Sequence, residues 1–260
     1  MESFTEIPHA ESPEEVSVVV LYCSHERDLI DKVIEPLVKI SNDVVVVCLT
    51  NFFTGEPDTL ALEKLNELSE KYKEVKPRIL QWKEIPGAPQ NFWPCEMRLH
   101  GFGETDPSKK WVMFVDSDEI LRSPQAFNRW FSKLCISTAE KAYKLSSYWY
   151  FLSPKRRSKV IEDSIVLVQR QTLGMSNFRN YSGEREKLAD SFVHYKRDLE
   201  GDVFFDHMSW VRSKEILLQK VSTWSHRNDK NWTELLLRAF QEDILTTKDF
   251  VHNYEYDILP

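Results

Sequence analysis

The sequence predicts a single α/β domain whose central sheet is mostly parallel. Three observations predict this class: short runs that are apolar along their whole length, amphipathic helical segments between them, and no linker that would separate two domains. Runs such as VSVVVLYCS (16–24) and DVVVVCLT (43–50) are rich in β-branched residues and too short for helices. They lack the alternation of a half-exposed strand, so we expect strands buried on both faces, as in a parallel sheet.

Strand and helix patterns alternate regularly up to residue 120. The strand at 16–24 is followed by apolar residues at helical spacing over 25–40 and by the strand at 43–50, which is a β-α-β opening. The elements that follow are an amphipathic helix over 58–75, a strand over 78–85, a loop over 86–94, a short helix near 95–103 and a strand over 111–115. Residues 1–14, which are acidic and contain Pro8 and Pro13, are expected to form a flexible tail.

The second half is less regular, although it also mixes strands and helices. The sequence predicts strands over 141–152 and 163–171 and helices over 213–224 and 231–240. Because no linker precedes these elements, we expect them to complete the same domain as the first half.

The charge balance excludes some classes of partner. The 260 residues contain 34 basic and 41 acidic side chains, a net charge of -7, so the overall field attracts neither nucleic acid nor an anionic membrane. A local exception is the basic run PKRRSK (154–159), a candidate phosphate contact or a solvated loop. No stretch is apolar enough for a transmembrane segment, and four irregularly spaced cysteines favour free thiols. A cytoplasmic location is therefore expected.

An acidic cluster follows the strand at 111–115, in the stretch KKWVMFVDSDEIL (109–121). Asp116, Asp118 and Glu119 stand close together, and like charges at this spacing repel unless they hold something positive. Ligands bind beyond the carboxyl ends of strands in open α/β sheets, and Mg²⁺ or Mn²⁺ accepts carboxylates together with phosphate oxygens. The cluster predicts a divalent metal and a nucleotide diphosphate; the alternative is a solvated acidic turn.

Three segments resemble GT-A glycosyltransferases, especially the large inverting family two and relatives in bacteria and large DNA viruses. RLHGFGETDPSKKWVMFVDSDE (98–119) resembles the stretch that leads into the family's DxD motif, and VVVLYCSHERD (18–28) resembles its nucleotide-binding opening. FFDHMSWVRSKEILLQKVSTWSHRND (204–229) resembles a downstream His-x-Ser-Trp-Val-Arg segment. The resemblance covers most of residues 16–230.

The resemblance implies a GT-A-like domain over 15–260, with a nucleotide-sugar-binding half (15–120) and an acceptor half (121–260). It implies transfer of a sugar from a nucleotide-diphosphate sugar to an acceptor hydroxyl, which we expect on a glycan. Asp116, Asp118 and His207 would hold Mn²⁺ or Mg²⁺. The residues implied around the nucleotide are Tyr22, Ser24, Arg27, Thr50, Asn51, Arg98, Asp116, Ser117 and Asp118.

The sequence departs from the family in its catalytic base. The expected acidic pair near a Gln-x-x-Arg-Trp motif is missing, and the nearest acidic pair is Glu162 and Asp163. We take Asp163 as the predicted base, with Glu162, Glu184 and Asp206 as further candidates. Two alternatives stay open: a non-catalytic nucleotide or glycan-binding module, and a haloacid-dehalogenase-like phosphatase, which also places Asp-x-Asp after a strand.

The repulsion within the acidic cluster also predicts how one substitution affects stability. Replacing Asp118 by asparagine removes one negative charge and keeps the shape of the side chain. Without metal, the stability of the protein is then expected to hold or rise.

Overall fold

The computed structural model describes residues 15–137, 141–182, 185–241 and 248–260. The predicted tail (1–14) and the candidate base Glu184 lie outside the described residues. The description of side chains also leaves out residues 134–137, at the end of a helix.

The first half alternates strands and helices, as predicted. Its elements are β1 (Val16–Tyr22), α1 (Ile30–Leu37), β2 (Val44–Leu49), α2 (Thr59–Lys71), β3 (Val75–Leu80), α3 (Phe92–Glu104), β4 (Trp111–Asp116) and β5 (Glu119–Leu121). The side chains of β2 are all buried, and only the last residue of β4 is not, because helices cover both faces of the sheet.

The second half contains longer strands and shorter helices. Its elements are α4 (Pro124–Ser137), β6 (Ala142–Phe151), β7 (Arg156–Gln169), α5 (Met175–Phe178), β8 (Val193–Tyr195), β9 (Phe205–Trp210), α6 (Lys214–Thr223), α7 (Trp232–Gln241) and β10 (Tyr256–Ile258). Irregularities interrupt the pairing of β6 with β7, so these strands bend away from the regular first half.

One sheet joins both halves, in the order β3-β2-β1-β4-β7-β6-β9-β5, with β8 beside β6 and β10 beside β7. Five of the nine pairings between described strands are parallel, including all three among β1 to β4. The predicted α/β class and mostly parallel central sheet are confirmed. From β1 the chain first runs outward to β2 and β3 and then returns to β4, on the other side of β1. This reversal opens a crevice between the carboxyl ends of β1 and β4, where α/β proteins bind ligands.

Helix α3 packs very closely against the sheet at Gly101. A Cβ atom added there would lie 2.5 Å from Val19 and 2.8 Å from Val47, so only glycine allows this approach. The short distance between helix and sheet brings the beginning of α3 to the carboxyl ends of β1 and β4.

Some boundaries differ from the sequence prediction. Strand β3 ends at Leu80, so residues 81–85 of the predicted strand belong to a loop. The sequence prediction did not include α4 or the short strands β5, β8, β9 and β10. Within the described ranges, no helix combines the length and apolar character needed to cross a membrane.

Candidate active site

A cavity of about 290 Å³ lies at the carboxyl ends of β1, β2 and β4, in the crevice described above. The end of β4 and the turn after it, which contain Asp116, Ser117 and Asp118, form one wall. The beginning of α3 contributes Arg98, and the second half of the chain contributes His207 and Lys220. The cavity therefore combines carboxylates of the first half with basic groups from both halves.

The turn after β4 is held by Glu119. The Asp116 backbone N–H donates to Glu119 Oε2 at 2.8 Å, and the Glu119 side chain is fully buried. Arg185 donates to both Glu119 oxygens, at 2.6 and 2.9 Å, and its Nη2 lies 3.4 Å from Asp116 Oδ2. The third acid of the cluster is thus a structural anchor that fixes the first.

Arg98 faces Asp116 from α3. Its Nη2 donates to Asp116 Oδ1 at 3.1 Å, and the residue is only 2% exposed although it lines the cavity. Arg98 lies three residues before Gly101, on the same side of the helix. The close packing at Gly101 therefore places this guanidinium at the cavity.

Asp118 belongs to a buried network of ion pairs. Lys220 Nζ lies 3.3 Å from Asp118 Oδ2 and 2.9 Å from Glu26 Oε1, and it also donates to the Ser209 carbonyl and hydroxyl at 3.0 Å. Arg212 pairs with the other oxygen of Glu26. With four acceptors around it, the Lys220 ammonium is fully used, and it fixes the orientation of Asp118.

His207 lies between two carboxylates. Its Nε2 is 3.6 Å from Asp118 Oδ1, and its Nδ1 is 3.2 Å from Glu162 Oε2. The Trp149 ring packs edge to face against the imidazole, with centroids 4.7 Å apart. Glu162 accepts a hydrogen bond from the Nδ1–H of His207, so the second nitrogen is directed at Asp118.

The charges of this cluster shift its pKa values strongly. Burial alone would raise the pKa of Asp118, but Lys220 and His207 outweigh it and the pKa is lowered. Burial alone would also raise the pKa of Glu119, but the charge and hydrogen bonds of Arg185 outweigh it, and this pKa is lowered as well. For His207 burial lowers the pKa, yet the contact with Glu162 and the nearby acids Asp118 and Glu119 raise it to about 9. The metal-free imidazole is therefore protonated at neutral pH.

The donor set fits a divalent cation at two of the three predicted ligands. Asp118 Oδ1 and His207 Nε2 face each other, and a carboxylate oxygen with an imidazole nitrogen suits Mn²⁺. Asp116 instead directs its oxygens at Arg98 and Arg185. Among the described residues, no group of three or more His, Cys, Asp or Glu side chains is arranged to hold a metal. A cation between Asp118 and His207 would complete its coordination with phosphate oxygens and water.

The other residues predicted around the nucleotide divide into two groups. Tyr22, Asn51 and Ser117 line the cavity. Tyr22 is 2% exposed, and its hydroxyl has no hydrogen-bond partner among the described residues. The structure does not bring Ser24, Arg27 or Thr50 into the cavity lining. The Ser24 N–H donates to Asp58, Arg27 lies 3.7 Å from Glu67, and the Thr50 hydroxyl donates to Asn51.

The acidic candidates for the base also separate. Asp163, the predicted base, pairs with His194 at 2.9 Å and with Lys196, and it does not line the cavity. Asp206 accepts hydrogen bonds from Arg122 and Tyr150, outside the cavity lining as well. Glu162 alone of the described candidates contacts a cavity residue, His207, and its geometry is that of a positioning group.

Sequence reasoning missed the charged partners of the carboxylates. Arg185 and Lys220 gave no signal, because a basic residue among apolar neighbours on a helix or in a loop normally points to solvent. Glu26 lies inside the segment VVVLYCSHERD (18–28), whose pattern predicts no role for it. The His-x-Ser-Trp-Val-Arg segment, which ends in Arg212, is the pattern that could have indicated one of these partners.

No family model matches the chain, and no curated protein sequence matches it. Solved structures that match include glycosyltransferases and nucleotidyltransferases at low sequence identity. The mannosyltransferase PcManGT from Pyrobaculum calidifontis, in complex with GDP-Man and Mn²⁺, is 12% identical with a TM-score of 0.45 over 87% of this chain and 68% of that chain.

Two further matches have the same character. The 4-diphosphocytidyl-2C-methyl-D-erythritol synthase from Anaerococcus prevotii is 12% identical, with a TM-score of 0.44 over 70% of this chain and 89% of that chain. A glycosyltransferase involved in the glycosylation of the major capsid of PBCV-1 is 11% identical, with a TM-score of 0.36 over 78% of this chain and 96% of that chain.

Proposed function

We propose that the protein is a glycosyltransferase that transfers a sugar from a nucleotide-diphosphate sugar to an acceptor hydroxyl, on a glycan. The observation that carries the proposal is the convergence of the Asp116–Asp118 turn, Arg98 and His207 in one cavity between the carboxyl ends of β1 and β4. This is the position at which α/β sheets bind nucleotides.

The donor would bind through groups that line the cavity. Arg98 offers a guanidinium to the diphosphate while Asp116 holds it in place. The Tyr22 hydroxyl, which has no partner among the described residues, offers a further hydrogen bond to the nucleotide.

Asp118 and His207 would hold Mn²⁺ or Mg²⁺ in the proposed enzyme. When bound, such an ion stabilises the negative charge that develops on the leaving diphosphate. Lys220 and Glu162 would act as positioning residues, because the first fixes Asp118 and the second accepts a hydrogen bond from the Nδ1–H of His207. The Arg98 guanidinium would add positive charge near the diphosphate oxygens.

The transfer itself forms a bond between the acceptor oxygen and the anomeric carbon. The bond from that carbon to the diphosphate breaks, and its electron pair goes to the diphosphate oxygen. A base must take the acceptor proton. Asp163 stays a sequence prediction for that role, since its position beside His194 and Lys196 does not support it.

The direct test is incubation with a panel of nucleotide-diphosphate sugars, with Mn²⁺ or with EDTA. Release of nucleoside diphosphate that requires Mn²⁺ and is lost in Asp118→Asn is the expected result. Binding without release would favour the non-catalytic module, and no binding of any nucleotide sugar would reject the proposal. Hydrolysis of a phosphate monoester instead would favour the phosphatase alternative.

Two adjacent acids provide a matched pair of variants for the same assay. Glu162→Gln is expected to weaken Mn²⁺ binding by about 10 to 100-fold, as the loss of a group that orients a metal ligand does. Asp163→Asn is expected to leave Mn²⁺ affinity unchanged. Lost turnover with normal metal and nucleotide binding in Asp163→Asn would restore Asp163 as the base.

A further inference from the structure

A second group of charged side chains lies on the other face of the sheet, and the proposed reaction does not use it. Its centre is Tyr148 in β6. Tyr148 is paired with Asp206 of β9, whereas the next residue, Trp149, is paired with His207. Because successive side chains of a strand point to opposite faces, Tyr148 lies on the face opposite to His207. The group is therefore separate from the candidate active site.

Three arginines surround the Tyr148 side chain. The Arg157 guanidinium carbon lies 4.2 Å from the ring centroid and that of Arg122 lies 5.3 Å from it. Arg197 Nη1 donates to the Tyr148 hydroxyl at 3.2 Å. Stacking on an aromatic ring holds a guanidinium in place without using its N–H donors. The tyrosine thus gathers three cations at one place.

Carboxylates neutralise only part of this charge. Arg122 pairs with Asp202 at 2.9 Å and with Asp206 at 2.7 Å, and the nearby Lys196 pairs with Asp163. Within the described ranges, Arg157 and Arg197 form no ion pair; Arg197 also donates to the Gly201 carbonyl, and Asp257 faces Arg157 across the pairing of β7 with β10.

The basic run PKRRSK is divided by its fold. Arg156 is buried and stacks on the Tyr256 ring at 4.6 Å, so this arginine stabilises the packing of β10. Arg157 points to the other face, where it stacks on the ring of Tyr148 and, among the described residues, forms no ion pair; Arg197 contacts the hydroxyl of the same tyrosine. Two guanidiniums that touch one side chain repel each other, and an anion between them would relieve this repulsion.

We infer that Arg157 and Arg197 bind a tetrahedral oxyanion, the phosphate or sulfate of a monoester, at the Tyr148 side chain. Arginine forks match the spacing of two oxygens on such a group, which a lysine cannot do. The patch is small, and the chain is acidic overall at -7, so a single anionic group is a better match than a long polyanion. The inference is independent of the proposed transferase activity.

Titration calorimetry with glucose 6-phosphate, glucose 6-sulfate, inorganic phosphate and glucose tests the site. Arg157→Gln/Arg197→Gln is expected to lose at least about tenfold in affinity for the anionic probes that bind the wild type, with no change for glucose. The matched control is Lys155→Gln/Lys159→Gln, which removes the same charge from the same basic run and is expected to change affinity little. Tighter binding of glucose 6-phosphate than of inorganic phosphate assigns the anion to a saccharide, and equal binding assigns a free anion.

Two outcomes would overturn the site. Equal losses in the two double variants would mean that only net charge matters, and unchanged affinity in the arginine variant would place any anion elsewhere. Arg157→Lys provides a second measurement that keeps the charge. It is expected to lose affinity severalfold because the fork is lost, and wild-type affinity in this variant would contradict the fork.

Discussion

Buried ion pairs join the two halves of the chain at the candidate active site. Residues 15–120 supply the buried acids Glu26, Asp118 and Glu119, whereas residues 121–260 supply their partners, which are Arg185, His207, Arg212 and Lys220. Neither half could bury its own charges alone at reasonable cost. The site therefore forms only when the halves pack against each other.

The ion pairs of Asp31, which lie inside the first half, are of another kind. Asp31 lies 2.7 Å from both Lys64 and Lys71, but its side chain is 33% exposed and that of Lys71 is 57% exposed. Water competes for such charges, and their contribution to stability is small. The ion pairs that join the halves are thus buried, whereas the ion pairs of Asp31 within one half are partly exposed.

Removing Arg185 is expected to have the largest effect on stability. Arg185→Met would leave the fully buried Glu119 carboxylate without its bidentate partner and free Asp116 from one contact. An uncompensated buried charge costs about 3–5 kcal/mol, which urea denaturation at neutral pH would measure. The loss of stability relative to the wild type should become smaller as the pH falls, because Glu119 can then become protonated and neutral.

The double variant Glu119→Gln/Arg185→Met is the control for this prediction. It removes both charges, so we expect it to recover part of the stability lost in Arg185→Met. A single variant as stable as the wild type would show that the pair does not hold the halves together.

His207 makes the next largest contribution, and it depends on pH. Its pKa rises from an ordinary value of 6.5 to about 9 in the folded, metal-free protein. The stabilisation is fully present below pH 6.5 and is lost as the pH rises toward 9. Since each pKa unit corresponds to roughly 1.4 kcal/mol, the loss approaches about 3 kcal/mol.

Unfolding in EDTA across this pH range checks the prediction, with His207→Gln as the comparison. The variant should lack this decline in stability, whereas an equal decline in both proteins would assign it to other groups. Mn²⁺ must displace the same proton, so metal affinity in the wild type should increase as the pH rises.

The regular elements of the first half could be predicted because burial on both faces leaves a plain apolar signal. Strands β1, β2 and β4 follow such runs, and the acids of the turn after β4 stand at the predicted edge of the sheet. Strand β3 was placed too late, because its exposed Lys76, Pro77 and Ile79 hide the pattern of an edge strand.

The partners of the acids could not be predicted, because they lie far away in the sequence. Lys220 is 102 residues from Asp118, and Arg185 is 66 residues from Glu119. In ILLQKVS the lysine looks like an ordinary polar position of a helix, and only the packing of α6 onto the turn buries it. The charge of the acids predicted a positive partner, but it did not distinguish a metal ion from protein side chains.

Asp118→Asn should therefore lower stability, in contrast to the expectation from repulsion between acids. The neighbours of Asp118 are Lys220 and His207, and they lower its pKa. The ionised carboxylate therefore stabilises the fold at pH values above 3.8, the ordinary pKa of an aspartate. We expect a loss of about 1–3 kcal/mol in thermal or urea unfolding without metal. Unchanged or increased stability would restore the view that repulsion dominates this turn.

The smallest effect is expected for Asp31→Asn, which removes the exposed ion pairs with Lys64 and Lys71. The pKa of Asp31 is lowered, since its contacts with Lys64 and Lys71 outweigh the opposing effect of burial. The stabilisation that these ion pairs provide is present above pH 3.8, the ordinary pKa of an aspartate, and disappears as the pH falls below it. Solvent screening keeps the contribution within about 1 kcal/mol at neutral pH and smaller in high salt.

Urea denaturation of Asp31→Asn and Asp118→Asn at low and high salt compares the two kinds of ion pair directly. A loss in Asp31→Asn as large as that in Asp118→Asn, and equally insensitive to salt, would mean that burial between the halves does not set the strength of these pairs.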